Sequence, residues 1–448
     1  VHEVPLGPPV QKPVVLLVVL DTIRPDHMSL YGYPRPTTPF IASLASGGIT
    51  FANHFSNSTW TKPSMASLFT GLFPRRHNVV SIPSKLSPGI TTLAQAFKNA
   101  GFKTGAVLAN NFGGRNYGMD RGFDRFADPS THFEGKHPTA VQVLELAKTW
   151  MAQDRDQPMF YTVFLFDPHD PYAPPPEYKA TFCPDCRSPE IVTPWREYRG
   201  HGPTAKQIED MKHLYDGELR YTDDQLKAFF GDLRELGLGD RLTTLIVGDH
   251  GEAFGEHGVF EHAFHTWDEV LRTPFILNSP RVATRGVFTG LTQHSDVMPT
   301  LLKLADVPLP AGIQGLSMVQ EEGDDPPPAS RLAVSEVEMY GIYRVALRNQ
   351  QHKLIHHNPL DEAAFHHFYT DARIYPSVVR GTTRRELYNV IADPREHKDL
   401  YLSERTSALP LEEALEHYLR TGELMESTPT QAPSEEVLRD LKSLGYIQ

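Results

Sequence analysis

The chain has 448 residues, 40% of them hydrophobic and 22% charged, a balance that excludes intrinsic disorder and a length that exceeds one minimal core. Its 43 basic and 55 acidic side chains leave a net charge of −12, which disfavours nucleic acid or an anionic membrane as the main partner. No apolar run reaches the roughly 18 residues that a membrane span requires.

Residues 1–13 read as an N-terminal extension, rich in proline from Val4 to Pro13. Val14 to Leu20 is apolar, continuous and β-branched, the pattern of a parallel strand buried on both faces, and it ends in Asp21. Helices are predicted over Pro39 to Ser46, over Pro63 to Thr70 ended by Gly71, and over Thr91 to Ala100 ended by Gly101. A strand follows at Lys103 to Leu108, a helix at Thr139 to Ala152, and a strand from Met159 to Phe166 that runs into Asp167-Pro168-His169. Ala205 to Leu236 carries helical spacing, and Thr243 to Val247 is a strand running into Gly248-Asp249-His250. The alternation implies an α/β domain, residues 14–325, with a mostly parallel sheet flanked by helices. Ligands of such sheets gather beyond the carboxyl ends of the strands, where Asp21, Asp167 to Asp170, and Asp249-His250 all fall.

The texture changes at the proline-rich linker Asp324 to Ser330. Short strand-like runs at Ala333 to Glu336, Tyr343 to Leu347 and Lys353 to His356 predict a small antiparallel subdomain, residues 331–410. A helical tail, 411–448, is expected from Leu411 to Leu419 and Ser434 to Leu444, and it offers a surface for homo-oligomerisation. The two cysteines, in Cys183-Pro184-Asp185-Cys186, suit a loop disulfide or free thiols. There is no second pair to complete a zinc site, and the proline-rich flanks do not suit a redox motif. A matured N-terminus and a disulfide would fit a periplasmic or secreted location, with the cytoplasm as the alternative.

Three clusters carry chemistry. Thr61 precedes Lys62-Pro63 at a helix start, where free N–H groups attract anions, although Thr before Pro is also a common N-cap. Asp249, His250, His257, His262 and His265 lie among glycines and acids, a donor set that suits Zn²⁺ or Mn²⁺, with His257 expected to play a supporting part. His169, between two prolines, is placed to protonate a departing oxygen.

Taken in order, these segments resemble the sulfatase-like family of the alkaline phosphatase superfamily. The resemblance rests on Leu20-Asp21-Thr22-Ile23-Arg24-Pro25-Asp26, Pro63-Ser64-Met65-Ala66-Ser67-Leu68, Asp167-Pro168-His169-Asp170-Pro171-Tyr172, Tyr215-Asp216-Gly217-Glu218 and Asp249-His250-Gly251-Glu252. Asp296-Val297-Met298-Pro299, Glu386-Leu387-Tyr388 and Leu444-Gly445-Tyr446 extend it to the end of the chain. It implies the alkaline-phosphatase-like fold and a single divalent metal, zinc with manganese as the alternative. The metal would be held by Asp21, Thr61, Asp249 and His250. It further implies Thr61 as nucleophile, His169 and His262 as proton-transfer groups, and Lys62, Asn111 and His265 as contacts to a small anionic ester. Three residues depart from the sulfatase pattern. Thr61 stands where sulfatases carry the Cys or Ser that becomes formylglycine, Met65 replaces the motif's arginine, and Thr22 replaces a second aspartate. These departures resemble the phosphoethanolamine transferases. They make phosphodiesters or phosphonate monoesters the expected substrates, cleaved through a phospho-threonine. A sulfatase without formylglycine, a transferase and an inactive binding module are the alternatives.

Overall fold

The computed structural model describes residues 3–134, 137–186, 203–321, 324, 328, 330–339, 341–361 and 383–424. Strand β1 (Val14–Leu20) is buried at every position, as a run without polar alternation requires. It lies at the middle of an eight-stranded sheet with β2 (Ile49–Phe55), β3 (Lys103–Leu108), β4 (Arg125–Ala127), β5 (Met159–Leu165) and β6 (Leu242–Gly248). A two-residue hairpin, β7 (Ala253–Phe254) with β8 (Phe260–Glu261), stands apart, and β9 (Phe275–Asn278) and β10 (Gly286–Gln293) complete the large sheet. The order is β10-β2-β9-β6-β1-β5-β3-β4. Only β9 runs antiparallel to its neighbours, so the sheet is mostly parallel as expected.

Register converts this sheet into a site. Leu20 is level with Leu165 on one side and Gly248 on the other. The next residues are held to the same edge: Asp21 N–H donates to Leu165 O at 3.0 Å, and Asp249 N–H donates to Leu20 O at 3.1 Å. Ala109 N–H donates to Phe164 O at 3.0 Å, which brings Asn110 to the edge as well. Three sequence-distant polar side chains therefore leave one rim because their strands end together.

A four-stranded antiparallel sheet, β11 (Ala333–Met339), β12 (Ile342–Arg348), β13 (His352–His357) and β14 (Arg384–Asn389), occupies the C-terminal region. The sequence reading finds the first three and misses β14, whose charged Arg384-Arg385-Glu386 start hides its strand character. The helix Arg405–Thr421 packs Leu411, Leu415 and Tyr418 against this sheet. It begins six residues before the expected Leu411 start, because Pro410 sits within the helix rather than limiting it. The expected helix Ser434 to Leu444 lies outside the described residues, as does most of the Phe182 to His201 loop. Cys183 and Cys186 form a disulfide, with Cα atoms 5.3 Å apart. Among the described residues no helix is long and apolar enough to cross a membrane.

The small sheet braces the segment that carries Thr61. Asn57 Nδ2 donates to Val334 O at 2.7 Å, Ser58 Oγ donates to Glu336 O at 2.7 Å, and Glu336 N–H donates to Asn57 O at 2.9 Å. Asp296, from the Asp-x-x-Pro motif, is fully buried: Oδ2 accepts Gln293 N–H at 2.8 Å, while Oδ1 accepts Leu316 N–H at 2.9 Å and pairs with Arg331. Removing that carboxylate strands a buried guanidinium. Asp296→Ala is expected to lower unfolding free energy by about 3–5 kcal/mol, measured by urea denaturation.

Candidate active site

Thr61 is the first residue of a ten-residue helix, Thr61–Thr70, that is buried throughout and ends at Gly71 with φ +65°. The N-cap position belongs to Trp60, with no side-chain cap bond. The Thr61 hydroxyl is therefore not spent on capping, contrary to the N-cap alternative. Its Oγ1 lies 3.4 Å from His250 Nε2 and 3.4 Å from Asn110 Nδ2.

Asp21, Asp249 and His250 form the floor of the site, all fully buried. One ligand atom from each lies within 4.8 Å of the others. His250 Nε2 is 3.6 Å from Asp21 Oδ1 and 3.3 Å from Asp249 Oδ2. His250 Nδ1 is 2.9 Å from the Gly251 carbonyl oxygen, which can only accept, so Nδ1 carries the hydrogen. Burial and the neighbouring His262 hold the imidazole well below its ordinary pKa, hence neutral. Its Nε2 lone pair then faces two carboxylate oxygens, and neither Asp21 Oδ1 nor Asp249 Oδ2 has a hydrogen-bond partner. Burial pushes both carboxyls upward, and the Asp21 charge adds to the shift at Asp249. Three electron-rich atoms converge with no closer donor than the Thr61 hydroxyl, 3.4 Å from His250 Nε2, and they fit a cation between them.

Their outer atoms are fixed by backbone. Asp249 Oδ1 accepts Thr22 N–H at 3.2 Å and its neighbour's His250 N–H at 2.7 Å. Thr22 thus contributes its N–H from a left-handed conformation, φ +49°. The hydroxyl of Tyr215, from the Tyr-Asp-Gly-Glu motif, donates to Thr22 O at 2.9 Å and accepts Arg24 N–H at 2.9 Å.

Two histidines roof the cluster. The His262 ring is 4.4 Å from His250 and 5.1 Å from His169. His262 Nδ1 contacts Glu252 Oε1 at 3.2 Å, and Glu252 Oε2 accepts Tyr172 O–H at 3.0 Å. Glu261 and Ala263, on either side of His262, hold φ of +64° and +72°. Strained non-glycine backbone of this kind persists where surrounding structure enforces a side-chain position. His169 Nδ1 is 2.8 Å from Asp170 O and 3.0 Å from its Oδ1. Burial pulls this imidazole down, but Asp21 and Asp170 outweigh it and carry His169 well above its ordinary pKa.

Three expected substrate contacts sit elsewhere. The Lys62 ammonium donates to Ile82 O and to Ser84 O at 3.0 Å, and lies 4.2 Å from the Tyr117 ring centre. Burial, with Lys85 nearby, lowers its pKa to about 8. Asn111 Oδ1 accepts Ser130 N–H at 3.1 Å, and its neighbour Asn110 takes the central place, donating to Asp21 Oδ2 at 3.1 Å. The end of β3 is the signal that points to this pair, and its pairing with β5 puts Asn110, not Asn111, beside Asp21. His265 is buried with Nδ1 3.9 Å from Glu269 Oε1 and its ring 5.2 Å from Trp267. His257 stacks on Trp267 at 4.1 Å and supports the same region. Met65, at the position of the motif's arginine, lies beneath Gly113, its Cε 3.4 Å from where a Cβ there would stand.

A parallel sheet whose strand ends converge two carboxylates, an imidazole and a helix-terminal hydroxyl defines a hydrolase of the alkaline-phosphatase-like fold. The particular family is the sulfatases: the chain belongs to it, since the sulfatase family model matches residues 13–307. The C-terminal model of N-sulphoglucosamine sulphohydrolase matches 255–421. A curated relative, an arylsulfatase of Clostridium perfringens, is 24% identical, with 68% of this chain and 78% of that protein covered. A solved structure of a protein with its substrate D-glucosamine-2-N,6-O-disulfate superposes with TM-score 0.71 at 19% identity, over 91% of this chain and 98% of that one. A phosphonate monoester hydrolase of Agrobacterium radiobacter gives 0.69 at 19% identity, over 92% and 96%.

Proposed function

We propose that this protein is a metal-dependent hydrolase of monoanionic esters, with sulfuric esters as its substrate class and Thr61 as its nucleophile. The carrying observation is the lone pair of His250 facing two unpartnered carboxylate oxygens beside the Thr61 hydroxyl. The matching relatives named as sulfatases support the substrate class. Asp21, Asp249 and His250, with Thr61 Oγ1 at the margin, would hold one divalent ion, zinc or manganese. Such an ion supplies positive charge to the ester oxygens and acidity to a bound hydroxyl.

The chain's own residues do the rest. Asn110 Nδ2 orients Asp21 and the Thr61 hydroxyl, and can donate to an ester oxygen at the same place. Thr61 Oγ1, its proton released to solvent beforehand, attacks the central atom in line as the bond to the leaving oxygen breaks, and it regains a proton when water displaces it. His169 Nδ1 is tied to Asp170, which leaves Nε2 to deliver a proton to the leaving oxygen. His262, held at Nδ1 by Glu252, has Nε2 to accept a proton from the water that clears Thr61. His169→Ala is expected to cost about 10²–10⁴-fold in kcat on an alkyl ester. The cost should be far smaller on a 4-nitrophenyl ester, whose leaving group needs no proton; parallel kinetics on the two esters check this.

A second reading keeps the site and changes the central atom to phosphorus. It is favoured by Thr61 and Met65. A threonine hydroxyl cannot form the aldehyde hydrate that releases sulfate in formylglycine enzymes, whereas a phospho-threonine is open to water. Aryl sulfate, phosphate diester, phosphonate monoester and phosphate monoester, compared on one preparation with elemental analysis, decide between them. Leading sulfate turnover supports the first reading. Leading diester or phosphonate turnover transfers the assignment to the second. No turnover and no bound metal overturns both.

A further inference from the structure

Beyond His169 the molecule holds a cavity of about 320 Å³, lined among others by His137, Phe166, Asp167, Glu218 and Tyr221. His169 belongs to both this cavity and the catalytic cluster, so the cavity begins where a departing oxygen would be protonated. Its walls are rings and carboxyls. Phe166 is sandwiched between two imidazoles, with His137 at 4.2 Å and His169 at 4.4 Å, both nearly parallel to it.

Two carboxyl groups face this space. Asp167 Oδ1 accepts Ala140 N–H at 3.1 Å, which anchors the helix Ala140–Gln153, but its buried Oδ2 has no partner. Glu218 is 5% exposed, and Oε1 accepts Ala173 N–H at 3.0 Å. Burial raises Asp167 to about 6; burial, then the Asp167 charge, raises Glu218 to about 8, so at neutral pH Asp167 carries the charge and Glu218 ionises when a cation enters to pair with it. Among the described residues no lysine or arginine offsets either group, and the His169 imidazole lines the cavity on the side of the catalytic cluster. Two acids beside an anion-binding centre oppose a leaving group that carries a further negative charge. They favour a group that brings its own positive charge, and the Tyr221 ring is attractive to the same group.

We infer that this cavity receives the leaving group of the ester and selects one bearing an ammonium, bound between Asp167 and Glu218 beside the Tyr221 ring. The inference rests on the ester-hydrolase reading for the word "leaving group", but binding to the cavity needs no turnover. The test is a calorimetric titration of the full-length, metal-loaded protein with three phenols of one shape: tyramine, 4-ethylphenol and 4-hydroxyphenylacetate. Tyramine is expected to bind at least about tenfold more tightly than 4-ethylphenol, with 4-hydroxyphenylacetate weakest. Glu218→Gln keeps an oxygen for the Ala173 N–H and is expected to erase most of the tyramine advantage; Asp167→Asn serves the same purpose should that variant not fold. Tyramine binding no better than 4-ethylphenol, or an undiminished preference in the folded variant, overturns the inference. A failed substrate panel with a retained tyramine preference would instead overturn the hydrolase reading and leave the ammonium site standing.

Discussion

Thr61→Ala is expected to lower kcat by about 10³-fold or more on whichever ester the protein turns over best. The substitution removes one oxygen and one methyl from a side chain that is 3% exposed. It breaks no capping bond, because Thr61 is the first helical residue and makes none. Alanine is favourable within a helix, so the stability change should stay below about 1 kcal/mol. Loss of activity with an unchanged unfolding midpoint would locate the effect in chemistry. Thr61→Ser keeps the hydroxyl near His250 and Asn110 and should retain most of the activity. Mass spectrometry of acid-quenched protein should find the covalent ester on the peptide containing Thr61. Full activity in purified Thr61→Ala would assign the attack to water and leave Thr61 a spectator 3.4 Å from His250.

Where the site was readable from sequence, strand ends were the reason. Val14 to Leu20 is an unbroken apolar run, Met159 to Phe166 and Thr243 to Val247 are broken only by polar Tyr161 and threonines, and each hands over to polar residues where the strand ends. That placed Asp21, His169, Asp249 and His250 with little help from local detail. Thr61 needed the family resemblance, because Thr before Pro reads equally as a cap. The side-chain contacts were harder. Asn110 and Asn111 are chemically identical neighbours, and only the pairing of β3 with β5 decides which faces Asp21. Lys62 carries the right charge for an anion site, yet its amine turns to the carbonyls of Ile82 and Ser84, a loop contact invisible to local sequence. His265 lies only three residues from His262, but Ala263 at φ +72° redirects the chain between them. Strands β2 and β10 escaped because they mix polar and apolar residues without a clean period, and β9 because it is only four residues long; β10 also contains a register shift at Phe288/Leu291.

Chelation of the protein is expected to abolish turnover and to lower the thermal midpoint, with both restored by zinc or manganese. An ion present at about 1,000 times its dissociation constant stabilises the folded state by about 4 kcal/mol. Asp249→Asn then separates a metal site from a structural hydrogen-bond cluster. In the chelated protein Asp21 and Asp249 are two buried carboxyls within 4.8 Å, with only histidines to offset them. Neutralising one relieves desolvation and like-charge repulsion. Asparagine's Oδ1 can still accept the Thr22 and His250 N–H groups that now reach Asp249 Oδ1. Chelated Asp249→Asn should therefore melt at or above chelated wild type, by an amount worth about 1–3 kcal/mol. With metal the order should invert, because the variant offers a neutral oxygen in place of a charged ligand. Calorimetric scans of both proteins, with chelator and with saturating zinc, measure four midpoints. A structural cluster would make Asp249→Asn destabilising by the same amount in both conditions, whereas a reversal of sign requires a cation bound between Asp21, Asp249 and His250.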